Sequence, residues 1–372
     1  EAELLHHAAD AEGDALTVEN VVLTDSSQGT LQQTNASATL PSGNMLFHLS
    51  AKDIAGDGSA TSDGASIATW TDLSGNNSHA TVIQGAPGFE MNGMSANGGI
   101  EFSSGNSMTI TNTAGINESS YTQKSFAFAF ETGSSVSGDQ VVYEQGGGTR
   151  GYSLSIAPDA STGDAKLYAF AWNKSEWPSG HHYKAIDLGV VAPNTSYAVA
   201  MVHDATDGNG TFTAFLNGQQ AGQLSGVPMQ HPHGGNVGIG VVNNDAVHPV
   251  SHAGTSSGSS SFNGTISEVM SWNAALGSSD IDQVTQHMAN EWGTAGGAVA
   301  GWQFTPAADV NGLVDLNYDV TDGTTSVSTS ASLNVTPVND VPVVSGAVTG
   351  TAADADAVFT VDLLSGATDA DT

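Results

Sequence analysis

The chain has 372 residues, enough for two or three domains of ~100 to 200 residues each. It carries 38 Asp and Glu against only six Lys and Arg, so its formal net charge of −32 would repel nucleic acid and anionic membrane surfaces. It has no cysteine, which excludes disulfide frameworks, thiolate metal sites and cysteine nucleophiles. No apolar run approaches the ~20 residues of a membrane span, so we expect no membrane insertion. The net charge likewise argues against nucleic-acid binding.

The first 40 residues carry seven acids and no base. Residues 16–23 are rich in β-forming side chains with partial alternation, which predicts a short strand. Just before them, Asp10, Glu12 and Asp14 occupy positions 1, 3 and 5 of a turn, a spacing that lets alternate carboxylates converge on one calcium ion. The glycine and the glutamate of an EF-hand are missing at positions 6 and 12. A solvated acidic turn is the alternative interpretation.

Residues 41–300 contain all six basic residues and repeated strand signals. Phe126, Phe128 and Phe130 alternate with alanines, and Asn217-Gly218 is typical of a two-residue hairpin turn. These patterns predict an antiparallel β-sandwich.

One helix is predicted near the end of this middle segment. Ser278 or Ser279 is the expected N-cap, and Gly293 the expected C-cap. Its apolar side chains recur on one face, which we expect to pack on a sheet edge: Ile281, Val284, Met288 and Trp292.

Residues 301–372 carry ten acids and no base, like the first flank. Asp322-Gly323 predicts a hairpin between strands at 313–320 and 327–335. Each flank alone has too few strands for an independent sandwich, whereas the two joined would suffice.

The two flanks could therefore form one β-sandwich together, with the middle segment inserted at a hairpin tip, where insertions are tolerated. The parts of the chain would be residues 1–40 and 301–340, the inserted domain 41–300, and the start of a further repeat 341–372. Four oxygen-bearing side chains lie where one repeat would join the next and are further predicted calcium ligands: Asn339, Asp340, Asp369 and Asp371.

The flanks resemble the cadherin-like repeats of very large bacterial surface adhesins of the repeats-in-toxin (RTX) type. The resemblance rests on short motifs along both flanks: residues 10–17, Gly29-Thr30-Leu31, residues 302–312, residues 318–323 and residues 335–340. In that family the Gly-Thr-Leu strand is normally followed within a few residues by the tryptophan strand, whereas here about 270 residues intervene before Trp302. The resemblance implies an Ig-like β-sandwich, calcium binding, neighbouring repeats in the same chain and an extracellular, cell-surface location.

The middle segment resembles a laminin-G-like (concanavalin A-like) jelly roll. The resemblance is carried by motifs in a fixed order: residues 49–53, 70–76, 143–151, 168–173, 215–218 and 262–269. It implies an all-β jelly-roll sandwich whose loops bind ligands, often glycans and sometimes through calcium.

Candidate ligand-binding residues lie in the predicted loops and at strand ends. Arg150 offers five donors for sugar hydroxyls or for steadying Glu144, and Trp177 lies in a polar loop where its ring could stack on a sugar face. Oxygen donors at 243–245 suit calcium or a glycan hydroxyl, the alternative being a strand-capping turn. The full predicted set is Glu144, Arg150, Asn173, Trp177, His182, Asn243, Asn244 and Asp245. His231 and His233 do not predict zinc, because no third ligand has a fixed spacing from them.

Catalysis is not predicted. A glucanase of this fold needs two carboxylates on one strand about 5 to 5.5 Å apart, and Glu268 is alone on its strand. The Gly-x-Ser-x-Gly elbow of a serine hydrolase is absent. The sequence favours a calcium-assisted, carbohydrate-binding adhesion module. The alternatives are a peptide- or protein-binding module and a spacer without a ligand.

Overall fold

The computed structural model describes residues 4, 8, 17–35, 37–103, 105–174, 183–243, 246–251, 254–255, 260–297, 299–322 and 325–369. The chain divides into two compact units. One contains residues 1–34 and 299–372 and is called the terminal unit; the other contains residues 35–298 and is called the central unit.

Most regular structure in both units is β-strand, and the all-β class predicted from the sequence is confirmed. The first thirteen strands are β1 (Thr17–Leu23), β2 (Gly29–Asn35), β3 (Met45–Ser50), β4 (Thr69–Trp70), β5 (Ala80–Gln84), β6 (Gly88–Glu90), β7 (Gly99–Phe102), β8 (Ser107–Ile110), β9 (Gln123–Thr132), β10 (Gln140–Gly146), β11 (Arg150–Pro158), β12 (Ala165–Asn173) and β13 (Tyr183–Val190). The remaining strands are β14 (Ser196–Asp204), β15 (Thr211–Leu216), β16 (Gln219–Ser225), β17 (Val237–Ile239), β18 (Ala246–Val247), β19 (Gly254–Thr255), β20 (Gly264–Trp272), β21 (Val299–Pro306), β22 (Gly312–Thr321), β23 (Ser326–Val335), β24 (Val343–Val344) and β25 (Ala367–Thr368). The helices are α1 (Gly93–Ala96) and α2 (Ser278–Trp292). Within the described ranges, no helix has the length and apolar character needed to cross a bilayer.

The central unit contains two eight-stranded antiparallel sheets. Sheet I has the order β13-β12-β11-β10-β17-β8-β5-β4. Sheet II has the order β16-β15-β14-β9-β20-β7-β6, with β3 also paired to β20. The hairpin predicted at Asn217-Gly218 joins β15 to β16, and both residues have the positive φ (48° and 79°) of a tight hairpin turn.

The main core joins the two sheets through aromatic side chains of β9, β10 and β11. The ring centroids of Phe128 and Tyr143 are 4.9 Å apart, and those of Phe126 and Tyr152 are 5.2 Å apart. Each such fully buried side chain contributes roughly 1.5 to 3 kcal/mol of transfer free energy. We call the face of sheet I that carries Tyr143 and Tyr152 its inner face.

Helix α2 confirms the predicted helix, and its four predicted apolar side chains are buried. It ends at Trp292 and is capped by Gly293, whose φ of 67° is the left-handed conformation typical of a helix C-cap. The observed N-cap is Gly277 rather than either serine. The prediction that α2 packs on a sheet edge is wrong, because it contacts β9 and β14 inside sheet II. Ala127 and Ala129 of β9 alternate with the inward-facing phenylalanines and are fully buried.

The outer face of sheet I has an apolar cluster of its own. Phe170 and Trp172 of β12 stack with ring centroids 5.6 Å apart and pack together with Val141. Val242 and Val247, from the segment after β17, complete this cluster. The long segment between β17 and β20 therefore covers part of the sheet.

In the terminal unit, strands from both ends of the chain pair with each other. β1 pairs antiparallel with β22, β22 with β23, and β2 with β21. Val18 and Val21 of β1 pack on Tyr318 of β22, with Leu31 and Trp302 at the margin. Val18 and Val21 are thus buried against a strand that follows almost 300 residues later.

Candidate ligand-binding site

Arg150 and Asn173 lie at one end of sheet I. Arg150 is the first residue of β11, Asn173 is the last of β12, and the two are direct partners in the strand register. Arg150 Nη1 donates to the Pro232 carbonyl at 3.1 Å, and Asn173 Nδ2 donates to Gln230 Oε1 at 3.3 Å. Gln230 Nε2 donates to the Trp172 carbonyl at 3.4 Å. The segment after β16 is therefore bound to this end of the sheet, which we call the Arg150 end.

Four of the six basic residues lie at the Arg150 end. Besides Arg150, Lys174 directly follows β12, Lys184 is the second residue of β13, and Lys124 is the second residue of β9. Burial, together with the charges of Arg150 and Lys124, lowers the pKa of His233 to about 4. In a chain of net charge −32, this end is a local concentration of positive charge.

Lys124 anchors the loop that precedes β9. Its side chain is fully buried, and Nζ donates to the carbonyls of Gly115 and Ile116 at 2.8 and 3.2 Å. Nζ also lies 4.1 Å from the ring centroid of Tyr121, a favourable cation–π distance. Burial lowers the pKa of Lys124 to about 7, because the ammonium loses its hydration.

A second buried contact fixes the segment that leads to Gln230. His203 Nε2 lies 2.8 Å from the Val227 carbonyl, and its Nδ1 lies 2.7 Å from the Tyr152 hydroxyl. Because a carbonyl only accepts, Nε2 carries the hydrogen and Nδ1 accepts from the hydroxyl. Burial lowers the pKa of His203, which favours this neutral form.

Glu144 and Asn243 belong to a different part of sheet I. Successive side chains of a strand point to opposite faces, so Glu144 faces away from its inward neighbour Tyr143. Glu144 is fully buried, and its Oε2 accepts from the Asn243 backbone N–H at 3.3 Å. Asn243 Nδ2 donates to Thr109 Oγ1 at 2.7 Å and to the Val237 carbonyl at 3.2 Å. These residues hold the chain after β17 onto the outer face.

The predicted ligand-binding residues therefore fall into two groups rather than one site. Arg150 and Asn173 lie together at the Arg150 end, whereas Glu144 and Asn243 lie on the outer face. Asn173 and Glu144 are both fully buried, so their side chains serve internal hydrogen bonds and present no surface to a glycan. Four further predicted residues lie outside the described part of the chain: Trp177, His182, Asn244 and Asp245.

The terminal unit has an open cleft of about 310 Å³ with oxygen-bearing side chains. Asp340, a predicted calcium ligand, lines it together with Asp309 and Asn311 of the β21–β22 connection. Sequence analysis did not select the latter two as ligands, although the alternate spacing Asp-x-Asn was a usable signal. Carboxylate and amide oxygens are the ligands that calcium prefers, so the cleft fits such an ion chemically.

The two other predicted calcium ligands that the structure describes, Asn339 and Asp369, do not line this cleft. Asn339 donates from Nδ2 to the Asp340 carbonyl at 2.7 Å, and Asp369 follows β25. Four predicted ligands lie outside the described residues: Asp10, Glu12, Asp14 and Asp371.

One Asp–His pair beside serine side chains invites comparison with a hydrolase. His248 Nε2 lies 2.9 Å from Asp139 Oδ1, near Ser153 and Ser155. His248 Nδ1 accepts from the backbone N–H groups of Val250 and Ser251 at 3.1 and 3.0 Å. Both imidazole nitrogens are therefore engaged, and neither can accept a proton from a serine in this geometry.

Comparison of the sequence with family models matches one stretch, which runs from the central unit into the terminal unit. The sequence model of a cadherin-like domain family matches residues 257–336, a span that includes β20 and α2 as well as β21 to β23. No curated protein sequence matches the chain.

Several solved structures resemble parts of the chain at low identity. Domain 4 of an extracellular arabinanase from Geobacillus stearothermophilus, solved with arabinotriose, is 14% identical with a TM-score of 0.43 and covers 65% of this chain and 98% of its own. The binding domain of Paraclostridial Mosquitocidal Protein 1 is 13% identical with a TM-score of 0.46, and the match covers 68% of this chain and 56% of that domain. A carbohydrate-binding module of a Ruminococcus gnavus sialidase (CBM40) is 19% identical with a TM-score of 0.36, covering 50% and 96%. Likeness at this level carries no information about a ligand.

Proposed function

We propose that the central unit binds carbohydrate at the Arg150 end of sheet I and that the chain serves as an adhesion module of a large secreted bacterial surface protein. The observation that carries this proposal is the convergence of Arg150, Lys174 and Lys184 at the ends of three neighbouring strands. All three are partly exposed. Guanidinium and ammonium groups donate to sugar hydroxyls and carboxylates.

The connection between β12 and β13 leaves sheet I at the same end. It starts directly after Asn173 and Lys174, and in sequence it contains Trp177 and His182. An aromatic ring can stack on the C–H groups of a sugar while charged donors bind its hydroxyls, so these residue types suit a sugar-binding site. The backbone N–H of Lys174 donates to the Thr149 carbonyl at 2.7 Å, which fixes the start of this connection.

Calcium assistance is part of the proposal for the terminal unit. Asp309, Asn311 and Asp340 would hold the ion, and its charge would offset repulsion in flanks that carry 17 acids and no base. The pairing of β1 with β22, together with a cadherin-like match that includes β21 to β23, supports assigning the terminal unit to a cadherin-like repeat that the central unit interrupts. A repeat-containing extracellular adhesin of the RTX type is the proposed context.

The proposed role is binding rather than catalysis. Glu268, the carboxylate of β20, is fully buried and hydrogen-bonded to protein groups, so it is not positioned to attack a glycosidic bond.

A glycan array with neutral and acidic glycans tests the function. The full chain, probed in millimolar calcium and again after chelation, should bind a defined subset of glycans. Absence of binding to every glycan in both conditions would overturn the proposal. Binding that survives chelation would retain the sugar site and show that sugar binding does not need the calcium proposed for the terminal unit.

A further inference from the structure

Three side chains from different elements of the central unit converge beside α2. His48 is on β3, Glu268 is on β20 and His287 is on α2. His48 Nε2 lies 2.6 Å from Glu268 Oε1, and His287 Nε2 lies 2.9 Å from the same oxygen. Across the described ranges, this is the one group of three His or acidic residues whose ligand atoms all lie within 4.8 Å of one another. We call it the His48–Glu268–His287 cluster.

A hydrogen bond from Trp292 orients the Glu268 carboxylate of this cluster. Trp292 Nε1 donates to Glu268 Oε2 at 2.7 Å, which leaves Oε1 facing the two imidazoles. Burial alone would raise the pKa of Glu268, but hydrogen bonds from His287 and His48 outweigh it and lower the pKa to about 2. Glu268 is therefore an anionic ligand at neutral pH. A partner that orients a ligand from behind is a usual feature of protein metal sites.

The cluster can be reached from solvent through its histidines. The side chains of His48 and His287 are 15% and 18% exposed, whereas that of Glu268 is 1% exposed. The two imidazole rings are edge to face, with centroids 6.2 Å apart. Lys52, the nearby cation, is paired with Glu291 at 2.7 Å, so its charge is balanced locally.

We propose that His48 Nε2, Glu268 Oε1 and His287 Nε2 bind a zinc-class divalent transition-metal ion, with water completing the coordination. Two imidazoles and one carboxylate are a common zinc ligand set when one position is left to water. Ligand atoms at ~2.0 to 2.2 Å from a tetrahedral ion are roughly 3.4 Å apart, so the observed N···O distances need to open by less than about 1 Å. When the ion binds, each neutral imidazole carries its hydrogen on Nδ1 instead of Nε2, so that both Nε2 lone pairs are available to the metal.

The bound ion would link α2 to two strands of sheet II. His287 belongs to the helix, whereas His48 and Glu268 belong to the neighbouring strands β3 and β20. Binding only the folded state raises the melting temperature of the unit with increasing metal concentration. This site is independent of the Arg150 end and of the calcium cleft, whose oxygen ligands suit a harder ion.

Isothermal titration of the metal-free full chain with zinc chloride tests the proposal, with millimolar calcium present to occupy oxygen-rich sites. We expect one zinc per chain and a zinc-dependent rise in melting temperature. His48→Gln and His287→Gln should each weaken zinc binding at least tenfold. Glutamine keeps an N–H donor for Glu268, so we expect both variants to fold. Their melting curves without metal check this.

The matched control is the double variant His231→Gln/His233→Gln, which removes two histidines of the same unit outside the cluster. It should bind zinc as the unaltered chain does. A visible absorption spectrum typical of tetrahedral cobalt(II), lost in His287→Gln, would support the assignment independently. Absence of stoichiometric zinc binding, or binding unchanged in both single variants, would show that the cluster is a hydrogen-bonded group only.

Discussion

Replacing Lys124 by methionine should change how stability depends on pH. Burial lowers the Lys124 pKa from 10.5 to about 7. Between these values the unfolded chain binds a proton that the folded chain does not, so stability rises with pH. The slope is about 1.4 kcal/mol per pH unit, and the whole window corresponds to about 5 kcal/mol. This contribution is complete above pH 10.5 and is lost as the pH falls to about 7.

Urea unfolding at pH 6 to 9.5 measures this effect. Tryptophan fluorescence is a suitable probe, because five of the six tryptophans belong to the central unit. The unfolding free energy of the unaltered chain, minus that of Lys124→Met, should rise by about 1.4 kcal/mol per pH unit above pH 7. The control is Lys52→Met, since the Lys52 side chain is 45% exposed; its curve should stay parallel to that of the unaltered chain. A parallel curve for Lys124→Met would show that the two carbonyls and the Tyr121 ring keep the ammonium charged, which would refute the reasoning.

Three other changes test separate parts of the structure. Calcium at a hundredfold excess over Kd should stabilise the terminal unit by about 2.7 kcal/mol and so raise its melting temperature, and Asp309→Asn/Asp340→Asn should abolish this gain. Equal stabilisation by salt-matched sodium in calorimetry would contradict the prediction. Replacing residues 36–298 by a short Gly/Asn turn should leave a folded β domain in millimolar calcium, and a disordered NMR spectrum would refute the split repeat. Asn243→Ala should destabilise the central unit by about 1 to 2 kcal/mol, because two hydrogen bonds from its side chain are lost, and it should leave glycan affinity unchanged. Weakened binding in a titration, without destabilisation, would show that Asn243 is a ligand-binding residue.

Local sequence patterns predicted the elements whose structure depends on neighbours along the chain. The spacing of Ile281, Val284, Met288 and Trp292 was enough to place α2, because a helix buries residues three and four apart. The Asn217-Gly218 turn was equally predictable, since few residue pairs adopt positive φ twice in succession. The position of α2 on sheet II was not predictable. It depends on contacts with β9 and β14, which lie about 150 and 80 residues earlier in the chain.

The candidate sites depend on contacts between distant segments, which spacing alone does not encode. Glu268 looked like an isolated carboxylate in the sequence, yet it contacts His48, which is 220 residues away. Arg150 and Asn173 become partners only through the register of β11 and β12. Glu144 was selected as an acid that Arg150 could steady. Strand alternation instead turns it to the outer face, where it is buried.

The affinity of Arg150→Gln for the best-bound glycan, compared with that of Lys166→Gln, tests the proposed sugar site most directly. Lys166 is the second residue of the strand that ends at Asn173, so it lies at the opposite end of the same sheet. It is paired with Asp159 and Asp187 at 3.0 and 2.8 Å. Both variants remove one positive charge. By isothermal titration, Arg150→Gln should weaken binding at least tenfold, about 1.4 kcal/mol, while Lys166→Gln should leave it unchanged. Equal affinities for Arg150→Gln and the unaltered chain would contradict a binding site at the Arg150 end.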